Sequence, residues 1–377
     1  MKLAMAVMHP EQRSQELLRA GFILDEAVIK RLTELNIPQV FVDFPGLDDL
    51  DRYLEPFLGP ERQQIYQNVK SAIASAERAN GAVASYGDYS TATREFISLL
   101  MTRPENRVML DLLKLDGRDG GEEVGHATTV AHLALVIGLR METFLIKERP
   151  RLTADQARDV TNLGVAGMLH DIGKTKLSPA LRKQSVLSEM ASETERSEWE
   201  AHAQLGYDLI RSNVEATTAA AVLNHHQRFD GKGFPRRVRD NETVEVAANA
   251  IHPFARILAA ADLFERLSLA PEGRRRTNYE VLDLIQQQFS AWLDPDVLTV
   301  LPQVLPPFSP GRRVTLSDAT NAIVTGFNLK DPYRPLVKRI RLDNLQLTDE
   351  VVDLHGLPEL SIVTLDGQPV APPRAAA

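Results

Sequence analysis

Apolar positions recur at helical spacing over residues 23–35, with Val28, Leu32 and Leu35 on one side. Asn36-Ile37-Pro38 ends that run, since proline cannot continue a helix and biases the residue before it toward extended backbone. Residues 39–44 (QVFVDF) then predict a short strand. A helix followed by a strand predicts a small α+β module, and residues 71–80 and 93–101 add helical segments. From about residue 112 to 305 the pattern is almost wholly helical. Segments 122–140, 154–169, 197–211, 216–223 and 255–267 all carry apolar residues three and four apart. One turn-rich stretch, 229–243 (FDGKGFPRRVRDNET), interrupts them. The proline-rich stretch 294–311 marks a boundary, after which short alternating runs separated by turn residues (RRVTLSD, NAIVTGF, PLVKRIRLD, LSIVTLDG) predict strands. Residues 371–377 (APPRAAA) read as a loose tail.

The prediction is a mainly α protein. An N-terminal α+β and helical region spans 1–111, a central helical bundle 112–305 and a small β-rich appendage 306–377. A chain of 377 residues is long enough for two or three domains. Its 44% hydrophobic and 25% charged residues are those of an ordinary globular protein.

Charge and cysteine content narrow the chemistry. A net charge of −8 leaves no global electrostatic footprint for a nucleic-acid polymer, though a local basic pocket for one small anion is compatible with it. There are no cysteines, so disulfides, thiolate metal sites and cysteine nucleophiles are excluded, and a metal must be held by nitrogen and oxygen. The N-terminal apolar stretch is too short for a membrane span or a clean signal-peptide core, and no apolar run approaches about 18 residues, so a cytoplasmic protein without a membrane span is expected.

Six of the nine histidines fall between His126 and His226. His170-Asp171 sits at the end of an apolar helix in MLHDIGK. Adjacent helical side chains point about 100° apart, so the pair can embrace one ion or bridge two. Lys174, four residues after His170, lies nearly on its face, where a cation could meet a phosphoryl oxygen beside a metal. By itself an HD dipeptide reads as a helix-end histidine with a surface aspartate. The neighbouring clusters change that reading. His225-His226 ends an alanine-rich helix before a glycine-rich loop, which is poor core material. His126 shares a face with Glu122. His202 is on an amphipathic helix and alone reads as structural. Asp262 ends an apolar, alanine-rich run, where a carboxylate is costly to bury without a partner such as a metal. His132 projects elsewhere from His126 and reads as a packing or surface residue.

The order of these motifs — H, HD, H, HH followed by DGxGxP, then D — resembles the HD-GYP family of HD-superfamily phosphodiesterases over about residues 120–268. The resemblance implies an HD-type helical bundle and hydrolysis of cyclic di-GMP to pGpG or GMP by metal-activated water. It implies two or three divalent ions, iron or manganese, held by His126, His170, Asp171, His202, His225, His226 and Asp262. Asp171 would bridge two ions, and Glu122 stands where some members hold a third. His202 matches the histidine of an H-x-x-x-G helix completed here by Gly206. Asp171 and Lys174 are the implied catalytic residues. Lys174, Gly231, Gly233 and Arg274 are the candidates for contacting substrate. The sequence departs from the pattern at Phe234, where tyrosine is usual, at Gln227 in place of glutamate, and at Glu265 in place of aspartate. It also lacks the Arg-Pro-Tyr run, with Arg274, Arg275 and Arg276 nearby instead. These departures keep two alternatives open: a catalytically weak sensor or interaction module for cyclic dinucleotides, and an HD-type hydrolase of another nucleotide. A protein partner for the N-terminal region and a homodimer complete the expectations.

Overall fold

A computed structural model of the chain describes residues 2–3, 6–8, 16–35, 37, 40, 42–43, 46–47, 60–78, 86–102, 108, 122–239, 242–271, 274–341 and 346–370. The chain divides into two compact units, Met1–Arg52 with Phe308–Ala377, and Tyr53–Pro307. This differs from the three regions expected from the sequence. The boundary expected at 111/112 and the tail 371–377 lie outside the described residues.

In the first unit, β1 (Lys2–Leu3) pairs antiparallel with β4 (Val42–Asp43), and β2 (Val7–Met8) with β3 (Glu16–Leu18). Helix α1 (Glu26–Glu34) starts at Asp25, whose carboxylate accepts from the Val28 N–H at 2.8 Å. Leu32 is buried with Leu3, Val7 and Leu24, and Val28 packs beside them. Of the strand predicted over 39–44, Val42–Asp43 is a strand, and residues 39, 41 and 44 lie outside the described residues. The same unit holds an antiparallel six-stranded sheet. Its strands are β7 (Arg313–Leu316), β8 (Asn321–Gly326), β9 (Leu336–Ile340), β10 (Leu347–Asp353), β11 (Ile362–Leu365) and β12 (Gln368–Pro369), in the order β10-β9-β8-β7-β11-β12. In β8 burial alternates residue by residue, the two-residue period of a strand with one covered face.

Among the described residues the second unit is helical apart from one antiparallel hairpin, β5 (Arg237–Arg239) with β6 (Glu242–Val244). Helices α2 (Pro60–Glu77) and α3 (Tyr86–Thr102) belong to it, because they bury Ile65, Val69, Tyr89 and Phe96 and pack on the bundle helices that follow. These are α4 (Glu122–Arg140), α5 (Glu142–Glu148), α6 (Ala154–Arg158), α7 (Thr161–Leu169), α8 (Pro179–Arg182), α9 (Glu193–Glu200), α10 (His202–Ile210), α11 (Ala216–Leu223), α12 (Pro253–Leu267), α13 (Asn278–Leu284) and α14 (Pro295–Val304). Helix α4 is the central member, buried without a break from Ala127 through Gly138 and packed on α7 and α12. Among the described residues no single helix is long and apolar enough to cross a membrane.

Two helix predictions and one predicted boundary differ in detail. The run 154–169 is two helices, because Asp159 is extended and its carboxylate accepts from the Thr161 N–H at 2.8 Å, restarting the chain. The run 197–211 is divided at Ala201 between α9 and α10. Within the proline-rich stretch, Pro295–Val304 is a helix. Proline suits its first position, Asp294 accepts from the Asp296 N–H at 2.8 Å, and Pro302 lies in the last turn.

Candidate metal centre

Helices α4, α7, α10, α11 and α12 bring their polar ends together. His126 is near the start of α4. His170-Asp171 follows the last residue of α7. His202 opens α10, His225-His226 follow α11, and Asp262 is in the second half of α12. His170, His202, His225, His226 and Asp262 are buried, and the Asp171 side chain is 15% exposed.

After Leu169 the chain tightens into a 3-10 helix, Ile172–Lys176. Three residues per turn align positions 171 and 174. Lys174 therefore donates to Asp171 Oδ2 at 2.9 Å, rather than lying over His170 as an α-helix would place it. Its Nζ also donates to the Gln184 carbonyl at 3.3 Å, which the Trp199 indole N–H shares at 3.2 Å. The turn reaches α10 because residue 173 is glycine. A Cβ there would stand 2.0 Å from the His202 carbonyl oxygen.

The histidines are oriented by backbone carbonyls. His170 Nδ1 faces the Gly167 carbonyl at 2.9 Å, His202 Nδ1 that of Trp199 at 2.7 Å, and His225 Nδ1 that of Val222 at 2.6 Å. A carbonyl only accepts, so each Nδ1 carries a proton and each Nε2 is turned inward, where it presents a ligand lone pair whenever the ring is neutral. His126 is held likewise, through Nδ1, by Glu265.

The Asp171 carboxylate divides the centre in two. Its Oδ1 lies 3.5 Å from His202 Nε2 and 3.8 Å from His225 Nε2, and those two nitrogens are 3.5 Å apart. With His226 they form one group of facing ligand atoms. Asp171 Oδ1 and His226 Nε2 are buried without a hydrogen-bond partner. Burial lowers the basicity of all three histidines, His202 to about 3 and His226 well below the usual range. Inward-facing neutral acceptors with no donor between them are costly to bury unless a cation joins them. Ligands bound about 2.1 Å from one ion stand roughly 3–3.5 Å apart, close to these separations. The residues fit a divalent metal.

Asp171 Oδ2 faces the second half. His126 Nε2 and His170 Nε2 are each 3.5 Å from it and 3.1 Å from each other. Asp262 Oδ1 is 3.1 Å from His126 Nε2 and 3.7 Å from His170 Nε2. Burial works against charge at His170, but Asp171 and Asp262 outweigh it and raise the imidazole to about 9. Burial also opposes ionisation of both aspartates, and the surrounding cations, Lys174, His170 and Arg266 about Asp171 and Arg266 foremost about Asp262, hold them well below the usual carboxylate range.

Other residues expected at the site stand elsewhere. Glu122 is exposed in the first turn of α4 and belongs to neither ligand group, while Glu123 beside it binds Arg182 at 2.7 and 2.9 Å. The carboxylate that reaches His126 comes instead from Glu265. Arg274 is exposed and pairs with Glu280 at 2.9 and 3.1 Å. Gly231 adopts φ +79°, and a Cβ on Gly233 would meet the His226 carbonyl oxygen at 2.4 Å, so both glycines shape the loop under His226. Buried His132 packs edge-on against Phe96, their ring centroids 4.7 Å apart.

Two residues at the centre were not singled out from the sequence. Trp199 orients His202 through its carbonyl and lays its ring 5.6 Å from Lys174 Nζ. Arg266 donates to Asp171 Oδ2 at 2.6 Å and to Asp262 Oδ1 at 2.9 Å. The one signal for Arg266 was its position four residues after Asp262, where helical side chains meet.

Residues 131–297 match a family model described as an HD domain. A cyclic di-GMP phosphodiesterase of Pseudomonas aeruginosa, PA4108, is 25% identical over 365 residues, spanning 89% of this chain and 82% of that protein. Residues 131–297 are therefore similar to the HD domains of the HD superfamily, and the chain as a whole resembles an HD-GYP-like phosphodiesterase. The 3'3'-cGAMP-specific phosphodiesterase 3 of Vibrio cholerae is 32% identical over 149 residues, 37% of this chain and 28% of that protein. The cyclic di-GMP phosphodiesterase response regulator RpfG of Xanthomonas campestris is 28% identical over 162 residues, 42% of this chain and 39% of that protein.

Within this HD domain the departures from the family pattern have structural partners. Phe234 is buried with Leu181, Trp199 and Ala203, its ring 4.6 Å from that of His226. An apolar ring there supports the histidine by packing and needs no hydroxyl. The Gln227 side-chain amide donates to the Pro235 carbonyl at 2.7 Å and ties the loop back on the helix end.

Proposed function

We propose that this chain is a metal-dependent phosphodiesterase that hydrolyses cyclic di-GMP, or a closely related cyclic dinucleotide, to linear products. The observation that carries this reading is the Asp171 carboxylate, one oxygen turned to three neutral histidines and the other to His126, His170 and Asp262. The ligand set in this reading is His126, His170, Asp171, His202, His225, His226 and Asp262. Iron or manganese suits its mixture of imidazole and carboxylate.

A bound divalent ion supplies Lewis acidity toward phosphoryl oxygen and a water of lowered pKa. The rest is the work of the chain. Asp171, by facing both halves, keeps them at a fixed separation. The backbone carbonyls at residues 167, 199 and 222 hold the tautomers of His170, His202 and His225, so those three rings need not reorient during turnover. Lys174 is 5% exposed in its side chain and pinned between Asp171 and the Gln184 carbonyl, so its ammonium meets negative charge developing on a phosphoryl oxygen without first shedding a water shell. In this reading the N-terminal region is the surface for a protein partner, and the chain is a candidate homodimer.

The test is turnover of cyclic di-GMP by the full-length protein loaded anaerobically with iron or with manganese, the products being separated by chromatography. The 3'3'-cyclic GMP-AMP dinucleotide run alongside decides between the two substrates named for the relatives. Asp171→Asn should abolish both metal retention and turnover. Full turnover by metal-free Asp171→Asn protein overturns the mechanism. A second reading, a sensor that retains metal but turns over slowly, is favoured by the arginine lodged in the second half of the centre.

A further inference from the structure

The two halves of the centre face opposite electrostatic situations. His202, His225, His226 and Asp171 Oδ1 offer only acceptors to the space between them. The other half already contains a cation. The Arg266 side chain is 14% exposed and enters from α12, one turn past Asp262. Its Nε donates to Asp262 Oδ1 at 2.9 Å, and its Nη2 to Asp171 Oδ2 at 2.6 Å and toward His126 Nε2 at 2.9 Å. Those are three of the atoms that a metal in this half would use. A guanidinium is charged at every relevant pH, and its planar fork can satisfy two carboxylates at once. Lys174 also donates to Asp171 Oδ2, at 2.9 Å, so two side-chain cations meet on that oxygen.

We infer that Arg266 is a resident cation of the second half-site, so that the resting protein takes up one divalent ion at Asp171–His202–His225–His226 and a second only by displacing the guanidinium. The inference rests on the metal reading proposed above. Two positive charges compete for the same oxygens, Asp171 Oδ2 and Asp262 Oδ1, and cannot both hold them. Removing Arg266 leaves Asp262 and one oxygen of Asp171 buried with fewer partners, a situation that a second ion relieves. Arg266 is thus a residue that sets metal stoichiometry, distinct from the ligands themselves.

The experiment counts ions. Apo protein is titrated anaerobically with manganese or ferrous iron, followed by calorimetry and by elemental analysis after gel filtration. Wild-type protein should bind about one ion per chain tightly, with any second ion at least roughly tenfold weaker. Arg266→Gln should bind two ions of comparable affinity, and Arg266→Lys, which restores a cation on a different stem, should return the count toward one. Two tight ions in the wild type overturn the assignment whatever the variants do, so the test does not depend on how well they fold. An unchanged count in well-folded Arg266→Gln also overturns it. Wild-type protein that takes up no ion overturns the metal reading and this inference together, whereas two equal wild-type ions leave the metal reading intact.

Discussion

Replacing Gly173 with alanine tests whether the tight turn after His170-Asp171 builds the centre. The added Cβ would stand 2.0 Å from the His202 carbonyl oxygen and 2.5 Å from the Gly206 nitrogen. Ordinary contact begins near 3.4 Å, so the turn has to retreat from α10 by about 1.4 Å. Both obstacles are backbone atoms, and neither can rotate away. Overpacking of this kind costs about 1–3 kcal/mol, more when the backbone is rigid. In a unit of this size each kcal/mol lowers Tm by roughly 2–4 °C, so a fall of roughly 2–12 °C is expected. Metal retention should suffer more than stability. Ligand distances tolerate only about 0.2 Å, and the retreat separates His170 and Asp171 from His202. The assay is thermal unfolding of the apo protein together with metal content after loading. Gly206→Ala is the control. Its Cβ would meet the Gly173 nitrogen at 3.3 Å and Val222 Cγ1 at 3.4 Å, which small adjustments accommodate, and alanine favours the helix by up to about 1 kcal/mol. Gly206→Ala should therefore be near neutral. Wild-type stability and metal content in Gly173→Ala, or equal damage from both substitutions, would refute the argument.

Other outcomes follow from the same structure. His252 starts α12 by accepting from the Phe254 N–H at 3.1 Å, and burial, with Arg149 and Arg256 nearby, lowers its pKa from 6.5 to about 4. The folded form therefore binds its proton less readily than the unfolded chain. Its contribution is complete above about pH 6.5 and is lost as pH falls toward about 4, at no more than about 1.4 kcal/mol per pH unit. Apo His252→Asn keeps a cap acceptor but cannot titrate, so its urea midpoint should fall less between pH 7 and pH 5 than that of the wild type; identical slopes would count against the cap. Glu122→Ala should leave metal content unchanged, because the side chain is exposed and outside both ligand groups. Loss of about one ion per chain would restore Glu122 as a ligand.

Much of this protein was readable in its residues because the signals are local. Helical periodicity located α4, α11 and most of α12, and alternation located the strands of the C-terminal sheet, since both periods follow from backbone geometry alone. Histidines at helix ends and an aspartate inside an alanine-rich run marked the centre, because such residues are poor packing material unless they have a shared partner. Where α2 and α3 belong was not local. Their apolar faces are satisfied by α4 and α7, a fact of packing that no window of sequence contains. Glu122 and Glu265 show the same limit. Both are within helical reach of the site by their position in the chain, but only the crossing of α4 and α12 decides which carboxylate meets His126. Arg266 is the sharpest case. The chain places it one helical turn after Asp262, the spacing of an ordinary surface ion pair. Only the convergence of five helix ends turns that arginine inward, onto an aspartate ninety-five residues away in the chain.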